Sequence, residues 1–421
     1  MKRIVCFGPG PKFKGGIANY NTSLAKAFDR IDETEVHIVS WTQQYPSIIP
    51  RDFIDRKSKA DQLAGTDIVV HYVLNYNNPI SWEKTADLLI KLAPDLIVFQ
   101  WAIAIQGLPY GWVVRRIKKA IRAEILFDLH FVIQKEGSVI DNLLTSIGIS
   151  NADTYIVHAE KTIRELSTLF PERKFEKDKG SKRNIEPGCR VIKLFHPVYD
   201  MFVPDETFDK VKYKQQLGLN THVFLFFGFI REYKGLHNVI RAFAKALEKR
   251  TDISLLIVGE SFWQTLDSDL WTTKLKNYIF GLAKKLLLRK RDDSDYRPLD
   301  LIAKLDIDDH VVVVNEFIPN EDVHIYFQVS DYLVLYYLTA TPSGVESIAY
   351  NFNLPILATK VGHFEETIKE GINGYLAEPD DIDSMSQTML LALDKPINRE
   401  NISKLAANLS WDIYAQSIID R

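Results

Sequence analysis

The segment Phe224-Leu225-Phe226-Phe227-Gly228-Phe229-Ile230-Arg231-Glu232-Tyr233-Lys234-Gly235, with a helical pattern opening at Leu236, decides the fold. Its apolar run has no polar alternation, which suits a strand covered on both faces, as in a parallel sheet. A loop carrying two cations then leads into a helix. Working outward, the same strand–loop–helix unit recurs. In the first half, apolar runs at 3–7, 36–40, 68–71, 96–100, 125–130, 154–158 and 191–195 predict strands, with helical patterns at 17–28, 82–92, 111–121 and 161–170. After the interruption at Pro197 and Pro204, strands are predicted at 223–228, 254–259, 311–315, 332–336, 355–359 and 374–376, and a last helix at 411–419. The charged stretch 170–189 reads as an exposed loop. Strand then helix, repeated, gives an α/β chain of two doubly wound, Rossmann-like domains. The expected boundaries are 1–200 for the first domain and 201–409 for the second, with an insertion at about 263–302. The helix within 410–421 is expected to cross back to the first domain. Two such domains face a central cleft, and ligands bind outside the carboxyl ends of the strands.

The 421 residues are 46% hydrophobic and 25% charged, with a net charge of −3. That balance excludes a disordered or fibrous chain and gives no global sign of nucleic-acid binding. The charge is uneven. Residues 1–200 carry 28 Lys and Arg against 23 Asp and Glu, and residues 201–421 carry 24 against 32, suggesting domains that face different partners. Two cysteines, Cys6 and Cys189, exclude a disulfide framework and a zinc cluster, and Cys6 reads as core. No signal peptide is expected from the opening residues, and no apolar run approaches the roughly 20 residues of a membrane span. A cytoplasmic protein is therefore expected.

Candidate chemistry sits after strands. Gly8-Pro9-Gly10-Pro11-Lys12-Phe13-Lys14-Gly15-Gly16 precedes a helix, but Phe13 fills the third glycine slot of a dinucleotide fingerprint and no acidic residue ends the second strand. Gly15 and Gly16 instead let backbone N–H groups approach an anion at a helix start. Arg231 and Lys234 suit a diphosphate, one as a planar fork of donors and one as a mobile point charge. Ser343, Gly344 and Val345 open a further helix, with Ser343 as N-cap and bare N–H groups facing the cleft.

Together, Gly228 through Lys234-Gly235, Ser343-Gly344 at a helix start, Leu354–Glu366 and Glu370–Leu376 resemble the donor domain of retaining GT-B glycosyltransferases of family 4. The Gly15-Gly16 loop and Ser410-Trp411-Asp412 fit the same family, so the resemblance covers almost the whole chain. It implies that Arg231 and Lys234 hold the donor diphosphate, with the backbone of Gly16, Gly344 and Val345 completing the cradle. It places Glu366 as the acidic residue of the donor site and His130 near the transferred sugar. One departure stands out. The family's paired glutamates would fall on Ala340 and Ile348, and the nearest carboxylate, Glu346, is two residues from the second slot, rotated by about 200° on a helix; it is expected at the donor site only if that helix starts differently.

The expected activity is transfer of a sugar from a nucleotide-diphosphate sugar to a glycan or lipid-linked acceptor, with retention. No cofactor and no metal are expected, because the pairs Asp267/Asp269 and Asp293/Asp295 lie in the insertion rather than at strand ends. Rival readings are a sugar-nucleotide epimerase of the same shape and a catalytically silent sugar-nucleotide-binding protein. A basic stripe, Arg115, Lys118, Lys119 and Arg122 at i, i+3, i+4 and i+7, suits an anionic acceptor or an anionic membrane surface at the inner face of the cell membrane. The blander reading is a solvated helix face. The stretch from Lys284 to Arg291 gives a similar hint.

Overall fold

A computed structural model describes residues 1–46, 53–133, 139–178, 185–261, 296–341 and 344–420. The first part of the chain runs β1 (Lys2–Phe7), α1 (Gly16–Asp29), β2 (Thr34–Gln43), β3 (Val69–Asn75), α2 (Pro79–Leu92), β4 (Leu96–Trp101), α3 (Gly107–Ala120), β5 (Glu124–Leu129), α4 (Val139–Ile149), β6 (Thr154–Val157), α5 (Glu160–Leu169), β7 (Glu176–Lys177) and β8 (Arg190–Lys193). The second continues α6 (Lys210–Gln216), β9 (His222–Phe227), α7 (Leu236–Leu247), β10 (Ile253–Val258), α8 (Asp300–Lys304), β11 (Val311–Val314), α9 (Val323–Val329), β12 (Tyr332–Leu335), α10 (Gly344–Asn351), β13 (Ile356–Thr359), α11 (Phe364–Thr367), β14 (Gly374–Ala377), α12 (Ile382–Asp394), α13 (Arg399–Ala406) and α14 (Trp411–Ile419).

Two parallel sheets result, in the orders β3-β2-β1-β4-β5-β6-β8-β7 and β11-β10-β9-β12-β13-β14. In both, the strand order reverses beside the first strand, at β1/β4 and at β9/β12, so a crevice opens at the carboxyl ends of β1 and β9. The runs read as doubly covered strands are just that: β4, β6, β10, β12 and β13 are buried along their whole length. Cys6 lies fully buried in the core, as expected.

The last helix packs on α1. Tyr414 donates to Asp128 Oδ2 at 2.9 Å, Tyr20 donates to the Tyr414 hydroxyl at 2.8 Å, and Arg30 pairs with Asp412 at 2.6 Å. Ser410 caps this helix by accepting from the Ile413 N–H.

The structure changes three details of the first domain. Helix α4 was not expected. Helix α3 starts at Gly107 rather than at residue 111, and Gly107 and Gly111 lie against the α4 backbone. A Cβ at those positions would stand 1.9 Å from the Leu144 carbonyl oxygen and 2.5 Å from that of Ile147. Finally, α3 ends at Ala120 and Ile121 is extended, so Arg122 is off the helix and the four-residue stripe is not one helical row. Both aspartate pairs and the stretch from Lys284 to Arg291 lie outside the described residues.

Candidate functional site

A cavity of about 290 Å³ lies between the two sheets, at the crevice their strand orders define. The first domain contributes Gly15, Gly16 and Asn19 from the start of α1. The second contributes Gly228 and Phe229 after β9, Gly259 and Glu260 after β10, Glu316, Phe317 and Ile318 after β11, Tyr337 and Thr341 after β12, and Gly344, Val345 and Ile348 of α10. Tyr233, Lys234 and the connecting residue Tyr199 complete it, with Phe202, Phe227, Asn320 and Val323.

Local backbone makes this convergence possible. Gly15 has φ 105° and caps α1 without a side-chain hydrogen bond, so α1 opens on the cavity with no acceptor among the described residues for the Gly16 and Ile17 N–H groups, while Ala18 and Asn19 donate to the Gly15 carbonyl. Gly259 has φ 145°, and a Cβ there would stand 2.2 Å from the Gly228 carbonyl oxygen, so only glycine lets the loops after β9 and β10 close together. Tyr199 sits between the two helix starts. Its hydroxyl donates to the Gly16 carbonyl at 3.0 Å, and a Cβ on Gly344 would be 3.1 Å from its ring. Further contacts tie the domains together at the rim: Asn19 donates to Asn320 at 3.2 Å, Lys57 pairs with Glu316 at 2.7 Å, and Ser58 accepts from the Asn320 N–H at 3.1 Å.

Lys234 is the cation of the cavity. It is 7% exposed, and among the described residues its ammonium makes no hydrogen bond and no ion pair. Burial, and secondarily the Arg231 charge, push its pKa down to about 7. Arg231 is half-buried, is absent from the cavity wall, and holds its guanidinium 5.4 Å from the Tyr233 ring centre. The structure thus brings Gly15, Gly16, Lys234, Gly344 and Val345 together on one cavity; Ser343 lies outside the described residues.

Three expected site residues are placed elsewhere. Glu346 is turned into the core, where Tyr350 donates to it at 2.7 Å and His363 at 2.6 Å. Burial pushes its pKa up, but His363, with hydrogen bonds from Thr367 and Tyr350, outweighs that and leaves it below the usual carboxylate value. Helix phase is the reason: Ile348, two residues on, takes the cavity face. Glu366 points across the domain boundary to Lys193, at 2.7 Å, and accepts from the Glu160 N–H at 3.3 Å. His130 is buried behind the cavity and donates through Nε2 to Gln100 Oε1 at 2.8 Å, its pKa pushed down to about 4 by burial. It belongs to a buried cluster in which His158 pairs with Asp128 at 2.8 Å and His196 meets Ser347 at 2.7 Å.

Sequence reading missed Tyr199, Asn19, Glu260 and Glu316. Asn19 was accessible, standing one helical turn after Gly16. Tyr199 and the two glutamates occupy connections whose placement no local pattern encodes. Among the described residues, the buried Oε2 of Glu260 has no hydrogen-bond partner.

Comparison with known proteins agrees with this architecture. Residues 208–409 match the family model of glycosyl transferases group 1. The chain is 21% identical to spore coat protein SA of Bacillus subtilis over 73% of its own length and 74% of that protein. It is 26% identical to lipopolysaccharide 1,2-N-acetylglucosaminetransferase of Salmonella typhimurium over 48% of its own length, a match spanning 49% of that protein. The structure of HepE from Anabaena in complex with UDP-glucose superposes with a TM-score of 0.66 at 15% identity, covering 100% of this chain and 99% of that one. The chain therefore has the GT-B fold, and its second half matches the family model of glycosyl transferases group 1.

Proposed function

We propose that the chain transfers a sugar from a nucleotide-diphosphate sugar to a glycan or lipid-linked acceptor, with retention of anomeric configuration and without a metal ion. The observation that carries this reading is one buried ammonium, Lys234, that pairs with no acid among the described residues and lies on the same cavity as the starts of two helices, at Gly16 and Gly344. Each helix start favours negative charge, and the three together suit a diphosphate. The aromatic wall of Phe227, Phe229, Phe317 and Tyr337 suits a nucleoside.

Charge grows on the leaving diphosphate as the glycosidic bond breaks. Lys234 and the backbone N–H groups at Gly16, Gly344 and Val345 stabilise that charge in a site that water leaves on binding. The departing phosphate oxygen then takes the acceptor proton, so no protein base is needed. Arg231 raises the local positive potential from behind Lys234.

Relatives and fold neighbours support this reading: one relative is an N-acetylglucosaminetransferase and one neighbour was solved with UDP-glucose. Incubating the protein with a panel of nucleotide sugars and glycan or lipid-linked acceptors tests it. Free nucleotide with a glycosylated product is expected. An interconverted sugar would show an epimerase, and binding without turnover a silent protein; either would overturn the proposal.

A further inference from the structure

The first turns of α2, α3 and α4 carry an exposed apolar patch that the transferase reading does not use. Val139, Ile140 and Leu143 on α4 are 85%, 65% and 58% exposed, and Trp112 on α3 is 45% exposed. Leu108 on α3 and Ile80 on α2 are exposed beside them. The three helices are neighbours: α3 and α4 touch backbone to backbone at Gly107 and Gly111, and the Trp112 indole donates to Glu83 of α2 at 3.0 Å. Each helix follows a strand, so these first turns lie at the carboxyl ends of β3, β4 and β5, on the rim of the cleft.

An apolar face of this kind normally turns inward on a helix of a soluble domain. Here α4 already buries Thr145, Gly148 and Ile149, and still sends three large apolar side chains outward. Cations continue the same surface. Leu108, Trp112, Arg115 and Lys119 stand at i, i+4, i+7 and i+11, one row along α3, with exposed Arg122 just beyond its end. Nearby acids are engaged: Glu83 and Asp87 pair with Arg116, and Asp141 also has a partner. Lys118, by contrast, is drawn off the row to Asp153 at 2.6 Å. Apolar side chains that enter the acyl boundary, flanked by free cations at headgroup level, are the two elements of interfacial binding.

We propose that this surface docks the first domain on an anionic lipid bilayer, with Ile140, Leu143 and Trp112 inserted and Arg115, Lys119 and Arg122 against the headgroups. Docking there sets the cleft rim at the membrane, where a lipid-linked acceptor would be presented; that last purpose rests on the transferase reading, and the docking does not. Among the described residues no helix is long and apolar enough to cross a membrane, so the contact is peripheral and reversible.

The test is co-sedimentation with vesicles of phosphatidylcholine alone and of phosphatidylcholine containing phosphatidylglycerol. The proteins are wild type, Ile140→Glu/Leu143→Glu, and Arg115→Glu/Lys119→Glu/Arg122→Glu. Wild type should sediment with the anionic vesicles. The apolar variant should lose about tenfold or more of that partitioning at any salt. The charge variant should lose about fivefold per residue, and the loss should vanish at high salt. UDP binding by calorimetry, unchanged in both variants, reports an intact fold. Wild type remaining in the supernatant of anionic vesicles, or both variants binding as wild type does, would overturn the proposal. So would a wild-type dimer by light scattering that the apolar variant breaks while neither protein binds vesicles, which would make the patch a contact between copies. Failure of UDP to bind wild type would count against the transferase reading alone, since sedimentation does not depend on it.

Discussion

Replacing Lys234 with methionine should stabilise the free protein near neutral pH and abolish its affinity for a nucleoside diphosphate. The opposite signs follow from one cause. The cavity holds an ammonium in a site that disfavours charge, pushing its pKa down from 10.5 to about 7. The unfolded chain therefore binds more protons than the folded one between those values, so this residue's cost to stability grows as pH falls from 10.5 towards 7 and is absent above that window. The cost is about 4 kcal/mol at pH 7 and about 1 kcal/mol at pH 9.5. Packing effects of methionine do not depend on pH, so the stability difference between variant and wild type isolates the charge. Urea unfolding should show the variant's advantage shrinking by about 3 kcal/mol between those two pH values. A bound diphosphate reverses the balance by restoring charge to the amine. Calorimetry of UDP binding to wild type at pH 7, in buffers of different ionisation enthalpy, should show proton uptake, and the variant should show no binding. A pH-independent stability difference, together with UDP binding that takes up no proton, would refute the assignment of Lys234 as a cation held ready for a phosphate.

Glu346→Ala should cost about 3–5 kcal/mol of stability by urea unfolding, because it leaves His363 and Tyr350 without their shared buried acceptor. Glu366→Gln should leave turnover within about twofold and stability within about 1 kcal/mol, since it breaks only a partly exposed pair with Lys193; a large drop in turnover would restore Glu366 to the donor site. Arg231→Ala should lower turnover less than Lys234→Ala does, because Arg231 acts from behind the cavity wall; equal losses in both would show that its side chain reaches the substrate. Activity should survive EDTA, with Lys234 and the helix starts compensating the leaving charge; loss restored by magnesium or manganese would contradict this.

The fold was legible because buried parallel strands announce themselves. Runs such as 223–228 and 254–259 have no polar interruption, and the structure places both in one parallel sheet. Glycines pointed to the same place: Gly15, Gly16, Gly228 and Gly344 all line the cavity, Gly15 and Gly228 with φ of 105° and 97°. Helix α4 was missed because its outward turn is apolar, so it lacks the polar face that a helical period needs. Glu346 and Glu366 were misplaced for a different reason. A motif position fixes where a residue sits along the chain, but its partner decides where the side chain goes. His363 draws one inward and Lys193 draws the other across the domain boundary.

The central claim is that the cavity between the domains is a nucleotide-diphosphate site. A crystal structure of the wild-type protein with UDP tests it most directly. The diphosphate is expected within hydrogen-bond distance of Lys234 Nζ and of backbone nitrogens at Gly16 or Gly344, with the base against the aromatic lining residues Phe227 and Phe317. A nucleotide bound elsewhere, or a diphosphate in the cavity that leaves Lys234 without contact, would contradict it.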